Sequence, residues 1–345
     1  MEQLSRYHVS APNCFTLVRY IFAFCIFCNH LCFTTGNEIF LINGGVFVTG
    51  FFIISGFLTF NNYIKTPDVK LFVKKRIRRI APAYVLAVLF CFLLGLTLTT
   101  LPSGDFLANP QTWKYLLANL CFLNYIQPTL PGVFDENVLH AMNASLWTMK
   151  VEIMFYVTVP VVHWLITRFG KNKVLLPVVL LSILYNVITA ELYAHTQLPL
   201  FSSLNHQIFG VLSFFYAPVL ILLNSDWIRK YIVPLLSVSL VFHLLSHFDK
   251  NFNYVDALPY SLLLLAFVYG VKPLLSTYRW KDYSYEFYLF RFPIMQTVVF
   301  CFPQIEVWQL FFASLPISVF TAYIVNSLVK TTLKAIDKRK APVCL

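Results

Sequence analysis

Charge is what this sequence has least of. Of its 345 residues, 12% are charged and 58% hydrophobic, with a mean hydropathy of +0.69, and that balance excludes a soluble globular chain. A small-residue cleavage site is also missing after the first apolar run. That run is too long for a signal peptide and is interrupted by Arg19, so it is expected to stay in the mature protein. No internal repeat is visible, which argues against an inverted-repeat transporter. With no low-complexity linker and no appended soluble domain, residues 1–345 read as one integral membrane domain. Eight cysteines are present, mostly inside apolar runs. Cys25, Cys28 and Cys32 share an i, i+3, i+7 spacing, but without a second Cys/His cluster they read as small residues at helix contacts and not as a metal site.

What the sequence does have is apolar runs of membrane-crossing length. Windows of about 19 residues pick out ten spans, at residues 13–35, 43–62, 82–101, 145–167, 173–192, 206–223, 230–247, 257–274, 283–302 and 306–330. The expected fold class is therefore all-α, a polytopic bundle of about ten transmembrane helices. Segment 112–128 is apolar but short and ends at proline, which reads as an interfacial or re-entrant helix in the longest external loop, 102–144. Lys and Arg accumulate in cytoplasmic loops. With both termini in the cytoplasm, all but five of the 26 basic residues fall on that side, the exceptions being Arg19, Lys114, Lys150, Lys250 and Arg291. This placement accounts for most of the +11 net charge, and no nucleic-acid partner is needed to explain it.

Three of those exceptions, Arg19, Lys150 and Arg291, lie within spans, where ionisable groups usually face a bundle interior and mark a path or site. Arg19 and His30 are eleven residues apart, which on a helix brings them to within about 20° of one face and separates them by roughly 16 Å along the axis. The second span carries small residues at Gly44, Gly45, Gly50, Ser55 and Gly56; they allow close helix packing, and equally a narrow ligand passing close to the backbone. Lys74, Lys75, Arg76, Arg78 and Arg79 stand directly before the third span, with Pro82 expected near its first turn. Two readings of this cluster stay open, a topogenic patch touching anionic lipid and a set of forked donors for a phosphate-rich ligand. In the fourth span Trp147 and Glu152 lie in the outer part, at a depth comparable to His30. A His and a carboxylate in one apolar cavity is the arrangement general-base catalysis needs. Glu286 and Arg291 share the ninth span, with Arg291 as a counter-ion to Glu152, to a ligand, or within a structural ion pair.

Taken in order, these pieces resemble acyltransferase family 3 of the membrane-bound O-acyltransferases. The resemblance is carried by Arg19 with His30, by Phe51 to Leu58, by Arg76, Arg79, Ile80 and Pro82, and by Trp147, Thr148, Glu152, Phe155 and Tyr156. Ser284, Tyr285, Tyr288, Leu289 and Pro293 match a fifth motif, with Arg291 standing where many members have His. Residues 168–280 match in hydropathy alone.

The resemblance implies an enzyme that moves an acyl group, usually acetyl from acetyl-CoA, to a sugar hydroxyl of a surface polysaccharide or its lipid-linked precursor. It implies a multi-pass protein of the cell membrane, in a bacterium the inner membrane, whose partners are acyl-CoA, a glycan acceptor and the bilayer. Arg76 and Arg79, supported by Arg78 and Lys75, would hold the CoA phosphates, and the pantetheine arm would pass Arg19 to bring the thioester to His30. His30, oriented by Glu152, would either deprotonate the acceptor hydroxyl for direct attack or carry the acyl group transiently; direct transfer asks for fewer steps. Trp147, Ser55, Arg291 and Tyr285 are the candidates for contacting the substrate, and Trp113, Tyr115, Tyr125, Asp135, Glu136 and His140 in the external loop are available for sugar stacking and hydrogen bonding, although membrane-interface anchoring explains the aromatics equally well. A lipid-linked glycan flippase, exporter or polymerase, or a non-catalytic partner in glycan assembly, is the competing expectation. Acyl content of the glycan, as opposed to its amount, separates enzyme from transporter. Sensitivity to His30→Ala separates enzyme from scaffold.

Overall fold

The computed structural model describes residues 13–37, 43–248, 255–270 and 280–340, and among them all regular structure is helical. Seven helices, or runs of consecutive helices, are long and apolar enough to cross a membrane: Phe15–Thr35, Gly44–Lys65, Val69–Leu98, Ala144–Phe169, Lys171–Thr196, Pro199–Leu223 and Val307–Asp337. We label the helices α1 (Phe15–Thr35), α2 (Gly44–Lys65), α3 (Val69–Leu98), α4 (Ser103–Ala108), α5 (Pro110–Leu120), α6 (Trp147–Phe169) and α7 (Lys171–Thr196). They continue with α8 (Pro199–Asn205), α9 (Ile208–Leu223), α10 (Ser225–Lys230), α11 (Ile232–Phe248), α12 (Ala257–Gly270), α13 (Ser284–Cys301) and α14 (Val307–Lys340). The remaining three expected spans correspond to shorter helices: α11 and α12 are apolar but short, and the 18 residues of α13 include Glu286 and Arg291. Of the basic residues used to orient the chain, Arg6, Lys250, Lys272 and Arg279 lie outside the described residues, as do residues 271–274 of the eighth expected span.

The third span departs most from expectation. Helix α3 begins at Val69, not near residue 82, so Lys74 to Arg79 occupy its first turns and Pro82 lies in its interior. Thirty residues make a helix of about 45 Å, longer than the ~30 Å of hydrocarbon in a bilayer. The charged turns therefore extend the apolar rod without having to enter lipid.

The chain divides into two compact units, and the division falls inside α1, α3 and α6. The first comprises Met1–Phe22, Gly45–Phe72 and Val151–Trp280. Small residues decide its packing: a Cβ on Gly56 would sit 1.9 Å from the Phe215 carbonyl oxygen, so α2 meets the backbone of α9 only because position 56 has no side chain. Phe155 of α6 stacks on Phe215 at 4.6 Å between ring centroids. Helices α7 and α9 are joined by polar bonds, Ser182 to the Phe209 carbonyl and Asn186 to the Gly210 carbonyl. Such bonds suit an apolar solvent in which unpaired backbone groups are costly. Gly170, at φ +93°, makes the one-residue turn between α6 and α7.

The second unit comprises Ala23–Gly44, Val73–Lys150 and Lys281–Leu345. Within it the 102–144 segment is a packed structure and not a loose loop. Phe106, Tyr115, Leu130, Val133, Phe134 and Met142 form a buried cluster with Cys91 of α3. Asn119 ties the segment together, donating to the Tyr115 and Gln127 carbonyls and accepting from Asn124, while the Tyr84 hydroxyl donates to the Asn119 carbonyl. Tyr115 is thus a core residue and not a sugar-stacking one, whereas Tyr125 is exposed with Lys150 over its ring.

Candidate functional site

Position 291 is set up by a proline. Pro293 has no N–H to give to the Leu289 carbonyl one turn earlier, and the Asn143 side chain donates to that carbonyl instead, at 2.7 Å. The adjoining turns are pinned by Asn137 to Gln296, by Gln296 to the Leu139 and Ala141 carbonyls, and by Tyr288 to Thr148 of α6 at 2.9 Å. Arg291 is consequently held in a rigid stretch of α13, and it is 0% exposed.

The guanidinium lies over the Tyr288 ring, 4.9 Å from its centroid. Nε, Nη1 and Nη2 are all buried and, among the described residues, have no hydrogen-bond partner. The expected ion pair within the ninth span is therefore absent; Glu286 instead accepts from Asn326 of α14 at 2.8 Å. A buried cation with neither counter-ion nor acceptor costs on the order of several kcal/mol, so a group that remains in this state calls for an explanation.

His30 of α1 is beside it in the same unit. The imidazole packs edge-on against Phe292, 5.1 Å between centroids, and lies within electrostatic reach of Arg291. Its Nδ1 is buried and also has no partner among the described residues. Toward the start of α3, Lys75 and Arg79 are exposed and Arg76 is half-buried. Arg76 and Arg79 are one turn apart on one side of the helix. Arg78 is engaged by Asp337 of α14, 2.5 Å away. Tyr285 donates to the Ile80 carbonyl at 3.1 Å and so ties α13 to α3. Trp147, the first residue of α6, is half-buried.

The first unit holds the carboxylate. Ser55 of α2 donates to Glu152 Oε1 at 3.1 Å, and the Tyr156 hydroxyl donates to the same oxygen. Tyr156 is four residues after Glu152, on the same face of α6, a relation readable from the sequence although no role had been attached to it. Arg19 is in this unit too, half-buried. His30 and Glu152 thus belong to different units, and the hydrogen bonds to Glu152 come from hydroxyls. Cys28 and Cys32 are buried and Cys25 half-buried, all as free thiols, and no cluster able to hold a metal ion occurs among the described residues.

Alongside the half-buried imidazole and basic helix start of one unit and the hydroxyl-bound carboxylate of the other, a family match extends over nearly the whole chain. Residues 13–329 match the acyltransferase domain of the acyltransferase 3 type. The chain belongs to this family. An O-acetyl transferase of Shigella phage Sf6 is 26% identical over 303 residues, covering 83% of this chain and 86% of that protein. No solved structure matches. The family is one of enzymes, and this acyltransferase is an O-acyltransferase with the apolar helices of a multi-pass membrane protein.

Proposed function

We propose that this acyltransferase moves an acetyl group from acetyl-CoA to a sugar hydroxyl of a cell-surface polysaccharide or its lipid-linked precursor, in the bacterial inner membrane. The observation that carries the reading is His30, a half-buried imidazole packed against Phe292 whose Nδ1 is buried without a partner among the described residues. In this reading the exposed Lys75 and Arg79 and the half-buried Arg76 bind the phosphates of CoA by charge-assisted bonds. Arg19, on the same helix as His30, lines the route of the pantetheine arm.

His30 takes the proton of the acceptor hydroxyl as its oxygen attacks the thioester carbonyl. Glu152 contributes negative charge to the same reaction. Both hydroxyl bonds to it end on Oε1, which leaves Oε2 to accept from a further donor. Trp147 offers an aromatic face to the sugar. The phage relative is named for O-acetyl transfer, which favours acetyl over a longer acyl group.

The test is acyl transfer by the purified, detergent-solubilised protein, following radiolabel from acetyl-CoA into a lipid-linked sugar fraction, with His30→Ala in parallel. Label reaching the sugar with the wild type and not with the variant is the expected result. A folded wild-type protein that neither binds acetyl-CoA nor transfers label would refute the reading.

A further inference from the structure

Four buried nitrogens face one problem. His30 Nδ1 and the Nε, Nη1 and Nη2 of Arg291 belong to neighbouring side chains of one unit, and none has a hydrogen-bond partner among the described residues. Groups near them include Tyr288, Phe292 and Cys28, and of these the face of Tyr288 is what a cation can use. Elsewhere in the same unit Asn143 replaces the bond that Pro293 removes, and Glu286 is met by Asn326. The Tyr115 and Ser145 hydroxyls are also buried without a partner among the described residues, but they are neutral, whereas Arg291 carries a full charge with all three guanidinium nitrogens unmet. A site whose donors are in place and whose acceptor is not is built for an oxygen that arrives with the substrate.

We propose that Arg291 is a catalytic residue that stabilises the oxyanion formed on the acyl carbonyl during transfer. The inference rests on the proposed function, because it needs a thioester carbonyl beside His30, and it holds for direct attack and for an acyl-imidazole route alike. In direct transfer the acceptor oxygen bonds to the carbonyl carbon, the carbonyl π electrons move to its oxygen, and the hydroxyl proton passes to His30. Negative charge then appears on that oxygen, and Arg291 is the cation in place to meet it. Collapse restores the carbonyl, breaks the C–S bond and returns the proton from His30 to the departing CoA thiolate. A fixed, water-excluded donor of this kind acts on charge that develops in the transition state, so it speeds the chemical step without tightening substrate binding.

The experiment compares wild type, Arg291→Lys, Arg291→Gln and Arg291→Met in detergent, reading acetyl-CoA binding, the rate and KM of label transfer to the lipid-linked sugar fraction, and thermal stability. Loss of one oxyanion donor predicts a fall of about 10²- to 10³-fold in kcat with little change in KM. Lys should recover part of it by restoring the charge. Acetyl-CoA affinity should be unchanged, and Arg291→Met should be no less stable than wild type, since a well-packed apolar side chain replaces an unpaired buried charge without loss. If kcat is retained and KM for the acceptor rises, Arg291 binds an anionic group on the sugar and the inference is overturned. Loss of the folded protein in all three variants would make Arg291 a structural residue and overturn it as well. Active wild type with fully active variants sinks this inference alone, whereas inactive, folded wild type sinks the acetyl-transfer reading on which it stands.

Discussion

The carboxylate site of the first unit and the imidazole site of the second contain similar chemistry in opposite states of completion. Glu152 is embraced by Ser55 and Tyr156, hydroxyls contributed by α2 and α6. His30 Nδ1 and the Nε, Nη1 and Nη2 of Arg291 are buried without a hydrogen-bond partner among the described residues. Burial raises the cost of a missing hydrogen bond, so a membrane protein is expected to complete its polar groups internally. It does so at Glu152, at Asn119, and at the Leu289 carbonyl beneath Pro293. At Arg291, on the inference drawn above, the acyl carbonyl oxygen supplies the partner.

That contrast is open to direct attack by mutation. The largest effect is expected at the incomplete site: His30→Ala should lower acyl transfer by about 10²- to 10⁴-fold, the range of a general base, with unchanged protein level and acetyl-CoA binding. Glu152→Gln follows, at about 10²-fold by the same measurement. Because it retains a hydrogen-bonding oxygen for Ser55 and Tyr156, its loss should appear in rate and not in melting temperature. If Glu152 serves the same proton transfer as His30, the double variant should be no slower than His30→Ala alone, and additive losses would separate the two roles.

Smaller effects are expected where charge or bonding is shared. Arg79→Gln should weaken acetyl-CoA binding about 10-fold, as loss of one charge-assisted hydrogen bond does, and high salt should reduce the difference. Ser55→Ala removes one of two donors to Oε1 and should slow transfer only a few-fold, within the ~0.5–1.5 kcal/mol of a single hydrogen bond. Asp337→Asn is the mildest. Its exposed pair with Arg78 is worth about 0–1 kcal/mol, so stability should barely move, and acetyl-CoA affinity should hold or rise slightly as Arg78 is released.

Much of the candidate site was legible before any coordinates. Arg19, His30, Glu152 and Arg291 announced themselves because charge inside an apolar run is costly and seldom incidental. Among the described residues the apolar runs reappear as helices, seven of them or their runs long enough to cross a membrane, because hydropathy and length report backbone demands that lipid imposes locally. The start of α3 was misread since the window that measures hydropathy stops at the first charges, whereas a helix continues through them as soon as it leaves the hydrocarbon. Tyr115 was misassigned because an aromatic residue that packs into a core and one that stacks on a sugar have the same one-dimensional signature.

The sequence by itself determined the class of the molecule, most of the helices and the short roll of candidate polar residues, since each follows from the energy of placing a given side chain in lipid. Which of those residues are satisfied and which are not was decided only by the tertiary structure. Arg78 has Asp337, Glu286 has Asn326, Glu152 has two hydroxyls, and Arg291 has none of these. Apart from the i, i+4 bond of Tyr156 to Glu152, these bonds join residues tens to hundreds of positions apart and depend on how helices are brought together, which no local pattern encodes.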